Sequence, residues 1–218
     1  MNATSRLRPH ISDGPAAPGR VRDFVAVDDS GDFSYHRSEQ DLLAAFEYVG
    51  EARSIVDRGG TDYVLALDPN RHLVLGPALG PAEFHWLRQA WQAAQRVHVG
   101  EHRLRRFYAG SRDELLRDLF EILVLEHGAD PATGSWAVEI EGVRTRRYNL
   151  QEVDRGLSRM GRLARVHVQD PFGRTYRPVR HRKHWYLPVA AGFILYVEIP
   201  APGGVLRAPN SQVGGLKR

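Results

Sequence analysis

The sequence predicts an α+β fold: an antiparallel sheet built from successive hairpins, three or four helices packed on it, and flexible tails at both ends. Three observations carry this. Short apolar strands flank turn residues at hairpin spacing. Amphipathic stretches with capping residues at their starts lie between the hairpins. The hairpin connections are too short for obligate parallel crossovers, which need a dozen or more residues.

The elements follow in order. Asp23 to Val27 and Phe33 to His36 flank Asp28-Asp29-Ser30-Gly31-Asp32, a hairpin turn signal. Ser38 with Asp41 has the form of a helix N-cap, and Leu42, Phe46 and Val49 share a helical face. Tyr63 to Leu67 and His72 to Leu75 enclose the turn Asp68-Pro69-Asn70-Arg71. A helix opens at Pro81, with Phe84, Leu87, Trp91 and Ala94 inward; Trp86 lies well round the helix from Trp91, so both cannot be deeply buried. Leu104 to Tyr108 reads as a strand. Ser111 and Glu114 form a capping box for a helix so rich in Leu and Ile that it should be the most buried. Trp136 to Ile140 and Val143 to Tyr148 flank Glu141-Gly142. Asn149 caps a helix over 149–161, with Leu150, Val153, Leu157 and Met160 inward. Strands at Ala164 to Val168, Thr175 to Val179, Trp185 to Val189 and Phe193 to Ile199 complete a meander, the first two joined by Asp170-Pro171-Phe172-Gly173. The rhythm shows no self-similar residues at a fixed period, so a solenoid is excluded.

Residues 1–21 and 200–218 are rich in Pro and Gly and read as tails, leaving a single domain over 22–199, with a linker-like stretch near 129–135 where it would subdivide. With 218 residues, 42% hydrophobic and 26% charged, the chain has ordinary globular composition. The absence of Cys excludes disulfides, thiolate nucleophiles and sulfur-based zinc sites. No secretory or membrane segment is evident, so a cytoplasmic protein without a membrane partner is expected.

The net charge of +4 conceals a segregation. Residues 141–218 hold fifteen basic and five acidic residues; the rest of the chain is net acidic. Of the 30 basic residues only Lys183 and Lys217 are Lys, a ratio that codon bias explains; codon bias does not explain where they sit. The basic segment supplies the expected partner-binding residues: Arg144, Arg146 and Tyr148 on one strand, Arg155, Arg159 and Arg162 as a helical stripe, then Arg174, Arg177, Arg180 and Arg182, interleaved with Phe172, Tyr176, Trp185 and Tyr186. Arginine forks match phosphate and carboxylate, and exposed aromatic faces stack on bases. The competing reading is a solvated face above core aromatics.

Other chemistry is weaker. His181, Lys183 and His184 could supply a base, a cation and an acid for metal-independent phosphodiester cleavage, but strand alternation turns the two His to opposite faces. Asp28, Asp29, Ser30 and Asp32 resemble part of a calcium loop without its flanking helices, and read as a turn. Gly100 interrupts the pair His98/His102, and no His-Glu-x-x-His string occurs. Neither metal nor cofactor is expected. The sequence therefore points to a non-catalytic binding or accessory protein for an anionic macromolecule, either nucleic acid or an acidic protein. The alternatives are a metal-independent phosphodiesterase or ribonuclease, and an antitoxin- or immunity-type partner-binding protein.

Overall fold

The structure, a computed structural model, describes residues 22–127, 134–181 and 192–200. Strands β1 (Phe24–Asp28) and β2 (Phe33–His36) form the first hairpin. Asp28 builds the turn: its Oδ1 accepts the Asp32 N–H at 2.8 Å and the Ser30 hydroxyl at 2.7 Å. Helix α1 (Glu39–Ala44) starts where its cap predicts, the Ser38 Oγ accepting the Asp41 N–H at 3.1 Å. It is shorter than the apolar spacing suggests. The Glu51 carboxylate takes the Glu47 and Tyr48 N–H groups into a following turn, so Phe46 and Val49 lie beyond the helix.

Strands β3 (Ala52–Asp57) and β4 (Thr61–Tyr63) come next, then a separate hairpin of β5 (Leu65–Leu67) and β6 (Leu73–Leu75), then β7 (Gly80–Pro81). The strand expected over Tyr63 to Leu67 thus divides at Val64, whose carbonyl accepts the Gly76 N–H at 2.8 Å. Helix α2 (Phe84–Val97) begins at an N-cap on Glu83 rather than at Pro81. Pro81 sits instead on an edge strand, where a missing N–H is tolerated. The strand over Leu104 to Tyr108 contracts to β8 (Leu104–Arg105). Helix α3 (Arg112–His127) follows, with the Ser111 Oγ accepting the Glu114 N–H at 3.3 Å. Its apolar side chains are buried on several sides, from Leu115 to Leu125, as its composition predicts.

Strands β9 (Trp136–Ile140) and β10 (Val143–Arg147) close on a two-residue turn in which Glu141 (φ 51°) and Gly142 (φ 86°) are both left-handed. Helix α4 (Leu150–Ser158) is capped by Asn149, whose Oδ1 accepts the Glu152 N–H at 2.9 Å. Strands β11 (Val166–Gln169), β12 (Thr175–His181) and β13 (Phe193–Ile199) complete the fold. The strand expected over Trp185 to Val189 lies outside the described residues.

The architecture is α+β with antiparallel hairpins, arranged as two main sheets. One has the order β2-β1-β3-β4-β7, the other β10-β9-β11-β12-β13-β8, and the only parallel pair among the described residues is β13 with β8. The two orders expose a duplication that no fixed-period similarity announces in the sequence. In each half a hairpin leads through a capped helix to a third strand that pairs with the first, then to a fourth. The match extends to residues. Asp57-x-x-Gly60-x-x-Tyr63 recurs as Asp170-x-x-Gly173-x-x-Tyr176. Each Asp closes its turn through Oδ1, which accepts the Thr61 N–H at 2.9 Å in one copy and the Arg174 N–H at 2.9 Å in the other. Each Oδ2 accepts the Tyr hydroxyl and an arginine, Arg22 in the first copy and Arg106 in the second. The signal is a sparse three-residue pattern repeated once, invisible to a search for a fixed period.

Among the described residues the first sheet packs on both faces, the second on one. In the first, Phe24, Ala26, Ile55 and Tyr63 pack under Leu42 of α1 on one face, while Val25, Val27, Phe33 and Val56 pack with α2 and α3 on the other. Rings interlock there: Phe33 meets Trp91 at 5.1 Å and Tyr35 meets Phe120 at 6.4 Å, both edge-on. In the second half Trp136, Val138, Val168 and Tyr176, with Leu150, Val153 and Leu157 of α4, join that same central cluster.

Candidate functional site

The second sheet has a face turned away from the central cluster. Register places Ala137 beside Arg146 and Gln169, and Glu139 beside Arg144 and His167, all turned away from Trp136 and Val138. Arg177 continues the face on β12. Arg144, Arg146 and Arg177 are exposed, and Arg144 bonds the Gln169 amide oxygen. Tyr148, 83% exposed, lies one residue past the end of the edge strand β10 and not on it as expected. By the register of the duplicated units, Ala137, Glu139, Arg144, Arg146 and Gln169 correspond to Val25, Val27, Phe33, Tyr35 and Val56 of the first sheet, and His167 to Ser54. A face that is apolar and covered by helices in one unit is arginine-lined and open among the described residues in the other.

Round the β10 edge, Arg147, Glu152, Arg155, Gly156 and Arg159 line an open groove of about 430 Å³ between strand and helix. Arg155 and Arg159 flank it, but α4 ends at Ser158, so Arg159 is its C-cap, Arg162 lies past it, and only Arg155 of the expected three-residue helical stripe is within the helix. Among the described residues, Arg146, Arg155, Arg159, Arg162 and Arg177 make no ion pair.

Two expected partner-binding residues have internal work. Arg180 donates through Nη2 to the carbonyls of Leu157 at 3.3 Å, Ser158 at 3.1 Å and Met160, satisfying the end of α4. Arg174 bonds Asp118 at 3.1 Å and Glu198 at 2.9 Å. The aromatic interleaving also changes. Tyr176 is fully buried, so it offers no face to a base; Phe172 is exposed. Arg182, Lys183, His184, Trp185 and Tyr186 lie outside the described residues. His181 stacks on Phe193 at 4.9 Å, its Nδ1 buried and without a hydrogen-bond partner among the described residues.

Sequence reasoning missed the charge cluster beneath this sheet. Arg106, its side chain 2% exposed, donates to Asp118 at 3.0 Å, Asp170 at 3.0 Å, the Tyr176 hydroxyl at 2.9 Å, and Glu121. Glu198 accepts from Arg174 and from the Phe107 N–H at 2.7 Å. Four carboxylates thus share two guanidinium groups. Burial holds the Asp170 and Asp118 carboxyls above the usual carboxylate range, against the pull of Arg106, and pushes the Tyr176 hydroxyl upward. The signal that could have found this cluster is the repeated Asp-x-x-Gly-x-x-Tyr string.

Comparison with protein-family models, with curated proteins and with solved structures returns no match. No helix among the described residues is long and apolar enough to cross a membrane.

Proposed function

We propose that this chain is a non-catalytic binding protein that takes an acidic protein surface onto the open face and β10 edge of its second sheet. The supporting observation is the substitution pattern between the two duplicated units. Positions that pack against helices in the first sheet carry Arg144, Arg146 and Gln169 in the second, with Arg177 beside them. Arginine forks placed at successive strand positions suit carboxylates presented by a folded partner. Burial of Tyr176 removes one stacking platform on which a single-stranded nucleic acid would depend, so the protein partner is favoured over nucleic acid.

The test is capture from the native host with wild-type chain and with the double variant Arg144→Glu/Arg146→Glu, analysed by mass spectrometry and by nucleic-acid sequencing. The expected result is a protein with an acidic face, retained at low salt, released as salt rises, and lost with the variant. Recovery of nucleic acid in its place transfers the site to that class of partner. Equal capture by both chains overturns the assignment.

A further inference from the structure

Two features weighed separately in the sequence, the Asp-rich first turn and the His98/His102 pair, meet in the fold. His98 caps α2, its N–H reaching the Ala94 carbonyl at 2.7 Å. The His98 carbonyl then accepts the N–H groups of Glu101 and His102, each at 3.0 Å. This tight turn brings the side chains of 98 and 101 together although Gly100 breaks the helical spacing. His102 fixes the turn from below. Its Nε2 lies 2.7 Å from Asp32 Oδ1 and its Nδ1 3.1 Å from Glu126 Oε2. Glu126 is anchored in turn by the N–H groups of Arg103 at 2.5 Å and Leu104 at 2.8 Å. The Trp91 ring stands edge-on to His102 at 4.8 Å.

On the solvent side of this strap, Asp32, His98 and Glu101 each present one donor atom, and the three atoms lie within 4.8 Å of one another. An independent observation points to a ligand. His98 Nε2 is buried and has no hydrogen-bond partner among the described residues. A buried ring nitrogen without a partner is destabilising, because its lost hydration is not replaced. Zinc-class ions take imidazole nitrogen and carboxylate oxygen at about 2.0–2.2 Å, so rotation of the exposed Glu101 side chain would close three such donors on one ion. The His102–Asp32 contact is the kind of supporting hydrogen bond that orients a ligating carboxylate.

We propose that Asp32, His98 and Glu101 form a site for one divalent first-row transition metal, which staples the β1–β2 turn to the segment leaving α2. The mixed nitrogen and oxygen donors suit zinc or cobalt better than calcium or magnesium, which prefer oxygen alone. The remaining coordination positions face solvent beside Glu101 and take water.

The full chain is titrated with Co²⁺, read by its visible absorption, and with Zn²⁺ by calorimetry and thermal melting. One equivalent should bind and raise the melting temperature. Glu101→Gln, an exposed change that leaves the fold intact, and His98→Ala should each weaken binding by about tenfold or more and abolish the thermal shift. Circular dichroism of each variant separates loss of the site from loss of the fold. Absence of stoichiometric binding in the wild type overturns the site. So does binding that survives both substitutions, because the ion would then sit elsewhere.

Discussion

Replacing Arg106 by Met tests whether the charge cluster under the second sheet is a structural element. Methionine retains most of the aliphatic volume and removes the charge. The substitution leaves Asp118, Glu121, Asp170 and Glu198 with Arg174 as their one remaining cation in the cluster, and the Asp170 side chain is wholly buried. Removing one partner of a buried ion pair costs about 3–5 kcal/mol, because the carboxylate left behind is desolvated and uncompensated. For a domain of this size each kcal/mol lowers the melting temperature by roughly 2–4 °C, so a fall of about 6–20 °C is expected. The duplication supplies an internal control. Arg22 holds Asp57 and Tyr63 in the equivalent geometry, but its side chain is 50% exposed. Arg22→Ala should therefore cost about 1 kcal/mol or less. Burial already holds the Asp118 and Asp170 carboxyls high, and Arg106 opposes that effect. Without Arg106 both rise further, and protonation relieves the repulsion, so the deficit of Arg106→Met should shrink as pH falls from 7 to 5. Thermal and urea denaturation measure both effects. Equal losses for Arg106→Met and Arg22→Ala, or a deficit that grows at low pH, would refute the reasoning.

The two repeated turns make a second contrast. Gly60 (φ 77°) and Gly173 (φ 87°) are both left-handed, but a Cβ on Gly60 would lie 2.6 Å from Leu116 Cδ1 and Arg112 Nη2, whereas one on Gly173 meets nothing within 4 Å. Gly173→Ala should cost about 1 kcal/mol of backbone strain, and Gly60→Ala clearly more, as read by urea midpoints. His36 is buried, and desolvation lowers its pKa against the pull of Asp41. Its neutral form thus contributes stability above about pH 6.5 that is lost as pH falls through the depressed folded value. The stability deficit of His36→Gln relative to wild type should narrow between pH 7 and pH 5; a pH-independent deficit would show that His36 does not titrate with folding.

Much of the fold was legible because local chemistry is decisive at element starts. Ser38, Ser111 and Asn149 each cap the helix they precede, and Glu141-Gly142 closes its hairpin by left-handed geometry alone. Element ends were less legible because they depend on distant groups. Helix α4 stops at Ser158 where Arg180, a residue of β12, takes its last carbonyls. The Tyr63 to Leu67 run splits at Val64, whose carbonyl is taken by the N–H of Gly76, just past β6. The same limit governed the site. Charge counting located the basic segment, but it could not separate Arg174 and Arg180, which hold the interior, from Arg144, Arg146 and Arg177, which face outward. Only register assigns those roles, and register is a property of paired strands.

The duplication gives the charge segregation a location. Both units need one face of their sheet buried under their own helix, and there the equivalent residues stay apolar: Phe24 and Trp136, Ala26 and Val138, Ile55 and Val168, Tyr63 and Tyr176. The other face is where the units diverge. In the first it meets α2 and α3, so apolar Val25, Val27 and Val56 are stabilising there. In the second the matching positions have no helix of the described chain above them, and an apolar set would form an exposed sheet face prone to association. Solubility alone would be met by any mixture of charges, Lys and Glu included. The second face instead carries Arg144, Arg146 and Arg177, with Glu139 the one acidic residue among them. A face with more arginine than acid costs self-repulsion that an even mixture avoids, and that imbalance is what a complementary acidic partner would relieve.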